Sequence, residues 1–199
     1  MAAVIRPAKR DSEDGEKFAR YFDVAADGLM RWMIGKQFVA VIGKAFLESG
    51  HDLSHEHVWF AESDGVIAGM VSGYSAEDHK RSKNGPMFRA AGVRAIRIAA
   101  AWVLARPLFA FMDRVPEGDW YLQGVAVDEA FRGAGIGSLL LDHAEEVAAT
   151  TGARRFALDV AVDNDAARRL YERRGMTIDA TSPPALLLGN PVHRMTKAL

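Results

Sequence analysis

The chain contains no cysteine in 199 residues. That excludes a disulfide scaffold, a thiolate nucleophile, and zinc or iron–sulfur sites built on cysteine. It has almost no net charge, 25 Lys+Arg against 26 Asp+Glu, so a protein whose main task is gripping nucleic acid is not expected. It has no long apolar run. The longest, Ile98 to Ala105, is bracketed by Arg97 and Arg106, far short of the roughly 20 residues a membrane-spanning helix needs. Met1 to Arg10 holds no apolar stretch of the secretory-signal kind. What is present is ordinary: 49% hydrophobic and 26% charged residues, enough for a real core and too apolar for intrinsic disorder. These features predict a soluble, cytoplasmic protein with one domain over residues 1–199, given roughly 150 residues per domain.

The pattern alternates strands and helices. Val4 to Arg6 reads as a strand ended by Pro7. Asp11 or Ser12 caps a helix whose apolar face is Phe18, Phe22, Ala25, Ala26 and Leu29. A second helix is predicted over Lys36 to Glu48, with Gly50 as its stop. His57 to Glu62, the turn Asp64-Gly65, and Val66 to Tyr74 read as a hairpin. Glu77 to Gly85 is polar and turn-rich. Met87 to Met112 is helical in pattern, interrupted at Pro107. Trp120 to Val127 is a strand, followed by a turn at Asp128 to Arg132 and a helix from Gly135 to Thr150. Arg155 to Val162 is the next strand, Asp163 to Asp165 a cap, and Ala166 to Arg174 a helix closed by Gly175. Met176 to Ala180 and Val192 to Leu199 are final strands around a Pro183-Pro184 loop. One mixed α/β domain fits this order best.

The segment Val125-Ala-Val-Asp-Glu-Ala-Phe-Arg-Gly-Ala-Gly-Ile-Gly-Ser138 carries the most information. A strand enters a turn with Gly133, Gly135 and Gly137, and an amphipathic helix follows. Glycines clear side chains from the path, so main-chain N–H groups can converge on an anion, and the helix adds the positive end of its dipole. The chemistry called for is a phosphate or pyrophosphate held by main chain; the competing interpretation is a glycine-rich helix entry that binds nothing. No Lys follows Gly137, so this is not a P-loop, and the spacing G-x-G-x-G is not the dinucleotide fingerprint G-x-G-x-x-G.

Together with the next unit, the segment resembles the GNAT superfamily of acyl-CoA-dependent N-acetyltransferases. The residues that carry the resemblance are Arg132-x-x-Gly135-x-Gly137, the strand Phe156 to Val162, and Asn164-Asp-Ala-Ala-Arg-Arg-Leu-Tyr171, with the exit Gly175-Met176. Met176 stands where the family usually has Phe. The resemblance covers Trp120 to Ile178. It implies an α/β fold with a central mixed, mostly antiparallel twisted sheet flanked by helices. It implies acetyl-CoA as co-substrate, no metal, and transfer of an acetyl group to a primary amine of a small molecule or a protein. By that resemblance Val125, Ala126 and Val127 would pair with the pantetheine arm. The N–H groups of Arg132, Gly133, Ala134, Gly135, Ile136, Gly137 and Ser138 would hold the pyrophosphate. Asn164 would touch the cofactor arm, and Tyr171 would protonate the departing thiolate. Some family members carry a carboxylate base on the second core strand, where Asp159 lies here, and Gln123 could orient a water or the substrate. The lack of cysteine leaves direct attack of the amine within a ternary complex. The alternative is an acyl-CoA-binding sensor or scaffold without turnover.

Between the hairpin and the glycine-bearing unit, about residues 80–116, lies a helical insertion the family core does not require. Lys80, Arg81, Lys83, Arg89, Arg94, Arg97, Arg106 and Arg114 stand there against Asp113. The first expectation is a solvated basic face over a core-packed apolar face. An acceptor-site wall comes next, a lid or homodimer face is a further use, and attachment to a membrane surface comes last. Trp32 and Phe38 are candidates for the same acceptor groove. His51, His55 and His57, beside Asp52 and Glu56, follow a glycine and precede a strand, so a polar loop rather than a metal site is expected.

Overall fold

The computed structural model describes residues 3–184 and 191–199. In chain order the elements are β1 (Val4–Pro7), α1 (Ser12–Ala25), α2 (Leu29–Ile34), α3 (Phe38–Phe46), β2 (Val58–Ser63) and β3 (Val66–Ser75). Next come α4 (Ala76–Arg81), α5 (Gly85–Ala91), α6 (Ala95–Leu104), α7 (Arg106–Met112) and β4 (Asp119–Val127). The chain ends with α8 (Ile136–Thr150), β5 (Arg155–Ala161), α9 (Asp165–Arg173), β6 (Thr177–Thr181) and β7 (Val192–Ala198). The strands form one seven-stranded sheet in the order β1-β2-β3-β4-β5-β7-β6. Every neighbouring pair is antiparallel except β4 and β5.

Alternation along the central strands builds a core on each side of this sheet. Phe60 and Met70 face the cluster formed with Phe18, Phe22 and Phe46 of α1 and α3. Their neighbours Ala61 and Val71 face the opposite cluster, with Leu140 and Leu141 of α8 and with Trp120, Phe156 and Tyr171. The sheet is thinnest at Gly73, where a Cβ would lie 2.2 Å from the Trp120 ring. Only a glycine lets that fully buried indole stack on Phe156, at 5.3 Å between ring centres.

Several sequence expectations are corrected. The polar stretch Glu77 to Gly85 is not all turn: it opens as helix α4, because the Ser75 side chain accepts from the Asp78 N–H and caps it. The predicted helix at Lys36 to Glu48 is confined to α3. A separate helix, α2, precedes it, set off by left-handed backbone at Asp27 and Gly28. The helical stretch Met87 to Met112 divides at Gly92, with φ of 54°, and at Ala105, so that Pro107 starts α7 rather than interrupting a longer helix. Nor does α6 present only a basic face to solvent: Val93, Ile96, Val103 and Leu104 are exposed. Among the described residues no single helix is long and apolar enough to cross a membrane. The apolar stretch Gly85–Leu104 with Arg106–Met112 is bent by 88°.

Of the three histidines, His51 and His55 serve the end of α3. The His51 Nε2 lies 2.9 Å from the Ala45 carbonyl, and the His55 Nδ1 lies 3.1 Å from that of Phe46. Both carbonyls belong to the last turn of a helix, which has no internal donors left for them.

Candidate functional site

The site is built where β4 and β5 part. Their parallel pairing runs from Asp119↔Arg155 to Leu122↔Leu158 and stops. β4 continues to Val127 and β5 to Ala161, held only by their outer neighbours, β3 and β7. A bulge fixes the point of parting. The β3–β4 register steps from Gly73↔Leu122 to Ser72↔Gly124, leaving Gln123 without an opposite residue. A bulge bends and twists its strand, so β4 turns away from β5 at that residue. The inner edges of Val125, Ala126 and Val127 therefore face an open cleft, available to an extended ligand in the manner of an added strand.

The far end of this edge leads into the glycine turn. Gly133 and Gly135 have φ of 81° and 80°, and a Cβ at either would meet nothing within 4 Å. Their requirement is backbone conformation, not space. The turn aims successive N–H groups outward. Those of Gly133, Gly135, Ile136, Gly137 and Ser138 have no acceptor among the described residues, while those of Arg132 and Ala134 make long bonds of 3.3 and 3.4 Å inside the turn. Gly135 caps α8 without any side-chain acceptor. A helix start with its donors free and its dipole uncompensated has the chemistry to accept an anion of phosphate type.

This turn and the paired chain motifs decide the family. The profile of the Acetyltransferase (GNAT) family matches residues 28–176, well over half of the chain. The chain belongs to the GNAT family. Two curated relatives share part of this GNAT sequence. The uncharacterized N-acetyltransferase YdgE of Bacillus subtilis (strain 168) is 34% identical over 79 residues, 40% of this chain and 46% of the relative. The 5-NmdU N-acetyltransferase of Pseudomonas phage PaMx11 is 39% identical over 69 residues, 35% of this chain and 46% of the relative. The aligned part is thus just under half the length of each curated relative. A solved acetyltransferase structure shares the fold along nearly the whole chain, with TM-score 0.70, 27% identity and 98% of both chains covered. The GNAT fold binds acetyl-CoA.

On the other side of the parting strands the GNAT sheet opens into a cavity of about 770 Å³. Its walls come from α1 and α2 (Phe22, Trp32), from α6 and α7 (Trp102, Leu108, Phe109), and from the sheet (Tyr74, Tyr121, Gln123, Asp159). The insertion thus supplies one wall of this cavity. Trp32 takes part in it, and Phe38 is not among the lining residues. Gln123 Oε1 and Asp52 Oδ1, both on lining residues, are buried and have no hydrogen-bond partner among the described residues.

Asp159 lines this cavity, but its carboxylate is already committed. Arg194 on β7 donates from Nε to Oδ1 at 2.8 Å and from Nη2 to Oδ2 at 2.7 Å, and the Tyr121 hydroxyl donates to Oδ2 at 3.0 Å. The side chain is 2% exposed. Arg194 also donates to the carbonyls of Phe111, Met112 and Arg114 at the end of α7. Nothing in the local sequence pairs residue 194 with residues 111–114; only the placing of β7 beside β5 brings them together.

Asn164 caps α9, its side chain accepting from the Ala167 N–H at 3.1 Å. Tyr171 lies buried on the same helix, within the cluster packed against α8. Burial pushes its phenol up to about 12, so the hydroxyl stays protonated across the working range. Tyr171 is not among the residues lining the 770 Å³ cavity.

His79 escaped the sequence reading because a lone histidine in a polar stretch carries no pattern. It stacks on Tyr74 at 5.3 Å. Its Nδ1 lies 2.8 Å from Asp52 Oδ2 and its Nε2 lies 2.8 Å from the Asp113 carbonyl. Both partners are acceptors, so the arrangement favours the doubly protonated ring. The bond to Asp52 raises its pKa above the ordinary 6.5, against the opposing effect of burial. A raised folded-state pKa adds stability that is complete below the unfolded value and is lost as pH rises through the folded value. Thermal unfolding followed from pH 6 to 9 should therefore show the wild type losing stability toward the alkaline side. His79→Asn should flatten that slope; identical slopes would show that the His79–Asp52 pair does not contribute it.

Proposed function

We propose that this chain transfers an acetyl group from acetyl-CoA to a primary amine borne on an apolar or aromatic body, in a small molecule or at an exposed site of a protein. The observation that carries this reading is what β4 joins. Gln123 of β4 lines the aromatic cavity, the strand beyond it has no partner on the β5 side, and it runs on to the glycine turn, where the N–H groups of residues 133 and 135–138 have no acceptor among the described residues. Each part suits one portion of the reaction: pyrophosphate, pantetheine arm and acceptor.

In this reading the amine nitrogen attacks the thioester carbonyl carbon and the carbon–sulfur bond breaks. Tyr171 donates to the departing sulfur, and the proton released by the amine leaves through solvent. Gln123 Oε1, at the bulge, accepts from an amine N–H and orients its lone pair. Asp159, ion-paired to Arg194, positions the β5 edge instead of taking the proton. Asn164 holds the mouth of the cleft as cap and cofactor contact.

The experiment is thiol release from acetyl-CoA with a panel of aromatic amines, aliphatic diamines and short peptides. The protein has no cysteine, so every thiol counted comes from CoA. Amine-dependent release, greatest for amines with an apolar body, is expected. Tight CoA binding without release for any amine would instead support a sensor or scaffold.

A further inference from the structure

The insertion presents two faces. Inward, Trp102, Leu108 and Phe109 line the acceptor cavity. Outward, α6 and the helical turn before it carry Val93, Ile96, Val103 and Leu104 at 84%, 79%, 74% and 53% exposure. With exposed Ala100 between them, these positions form one stripe at helical spacing. A clustered apolar stripe left in solvent marks a surface that something covers.

Charge identifies what covers it. Residues 79–112 contain seven Lys and Arg and no Asp or Glu. Removing those seven from the chain's 25 leaves 18 Lys+Arg against 26 Asp+Glu elsewhere; Arg81 and Arg89 are paired with Glu77 and Glu48 and Arg106 lines the cavity, while Lys80, Lys83, Arg94 and Arg97 form no ion pair among the described residues. Arg97 is held at the border of the stripe, donating to the Trp32 and Met33 carbonyls. Arg94 is exposed and forms no ion pair among the described residues. A second copy docked on the same stripe would bring arginines against arginines. The helix has ten residues, about 15 Å, too short a ridge to supply the roughly 800 Å² per partner of a stable interface. A convex apolar ridge bordered by arginines matches a deformable anionic surface, with apolar side chains below the headgroups and guanidinium groups at the phosphates.

We propose that α6 seats this protein on an anionic lipid surface. The helix lies in the plane of the interface and does not cross it: its ten residues span about 15 Å, half the roughly 30 Å of a bilayer core.

Flotation with vesicles of phosphatidylcholine alone, or of phosphatidylcholine with phosphatidylglycerol in equal parts, tests this. The wild type should float with the anionic vesicles and stay in solution with the neutral ones. Arg94→Glu should weaken binding about fivefold or more, from the roughly 1 kcal/mol each basic residue contributes near such a surface. Ile96→Glu with Val103→Glu should abolish it, while circular dichroism and acetyl transfer measured without vesicles remain unchanged, because both side chains point into solvent. Equal binding to both vesicle types, no binding to either, or unchanged binding by the double variant would overturn the proposal. So would a wild-type dimer, seen by light scattering, that the double variant disperses; that result would assign the stripe to a second copy.

Discussion

Tyr171→Phe is expected to lower kcat by about a hundredfold, at the low end of the range for removing a positioned proton donor. CoA affinity should stay close to that of the wild type. The substitution removes one hydroxyl from a ring packed among apolar side chains of the α8 cluster, and Phe keeps that packing. The low end of the range follows from the proton's energetics. Burial pushes the Tyr171 phenol up to about 12, whereas an ordinary alkyl thiol such as cysteine titrates near roughly 8.5. Complete transfer to the thiolate is uphill by several pH units, so in the transition state the hydroxyl acts chiefly as a hydrogen-bond donor to sulfur as negative charge develops. The same argument fixes the pH profile. With the phenol protonated throughout, kcat should show no descending limb below about pH 10 from this group. Steady-state thiol release and a CoA binding isotherm check both halves. Unchanged turnover in the variant would remove the donor role, and a matching loss of CoA affinity would make Tyr171 a cofactor-binding residue instead.

How much of this was legible in the sequence depended on how local the signal was. The glycine turn, the α9 cap at Asn164 and the hairpin at Asp64-Gly65 are written in consecutive residues, and their backbone geometry follows from residue type. The two-sided burial of β3 is legible too, since a nearly continuous apolar run fits a central strand. Helix α4 was hidden because its polar residues resemble a loop; the Ser75-x-x-Asp78 spacing, in which the Asp78 N–H donates to the Ser75 hydroxyl, was the available signal. The bulge at Gln123 was invisible, because it is a property of register between two strands. The exposed stripe on α6 was missed for a related reason. Periodicity shows that one face of a helix is apolar, but not whether the sheet or the solvent lies beneath it. His79 and Arg194 join segments 34 and 80 residues apart in the chain, a separation no local pattern records.

Arg194→Ala is expected to cost about 3–5 kcal/mol of folding stability, the usual penalty for stripping the partner from a buried charge. The penalty is at the upper end because two functions fail together. Asp159, 2% exposed, would be left with only the Tyr121 hydroxyl as partner. The carbonyls of Phe111 and Met112 would lose the guanidinium that closes the end of α7. Urea unfolding measures the loss. The double variant Asp159→Asn with Arg194→Met should recover more than half of it, since Asn can still accept from Tyr121 and no unpaired charge remains. The same pair separates two roles for Asp159. As an anchor, its loss with Arg194 frees α7, whose Leu108 and Phe109 wall the cavity, so KM for the amine should rise while kcat stays within about tenfold. As a proton acceptor, its conversion to Asn would instead lower kcat by about a hundredfold or more at unchanged KM and erase the acidic limb of the pH profile. The bidentate geometry of the Arg194 pair predicts the first pattern, because both Asp159 oxygens already accept from its guanidinium and one also accepts from the Tyr121 hydroxyl.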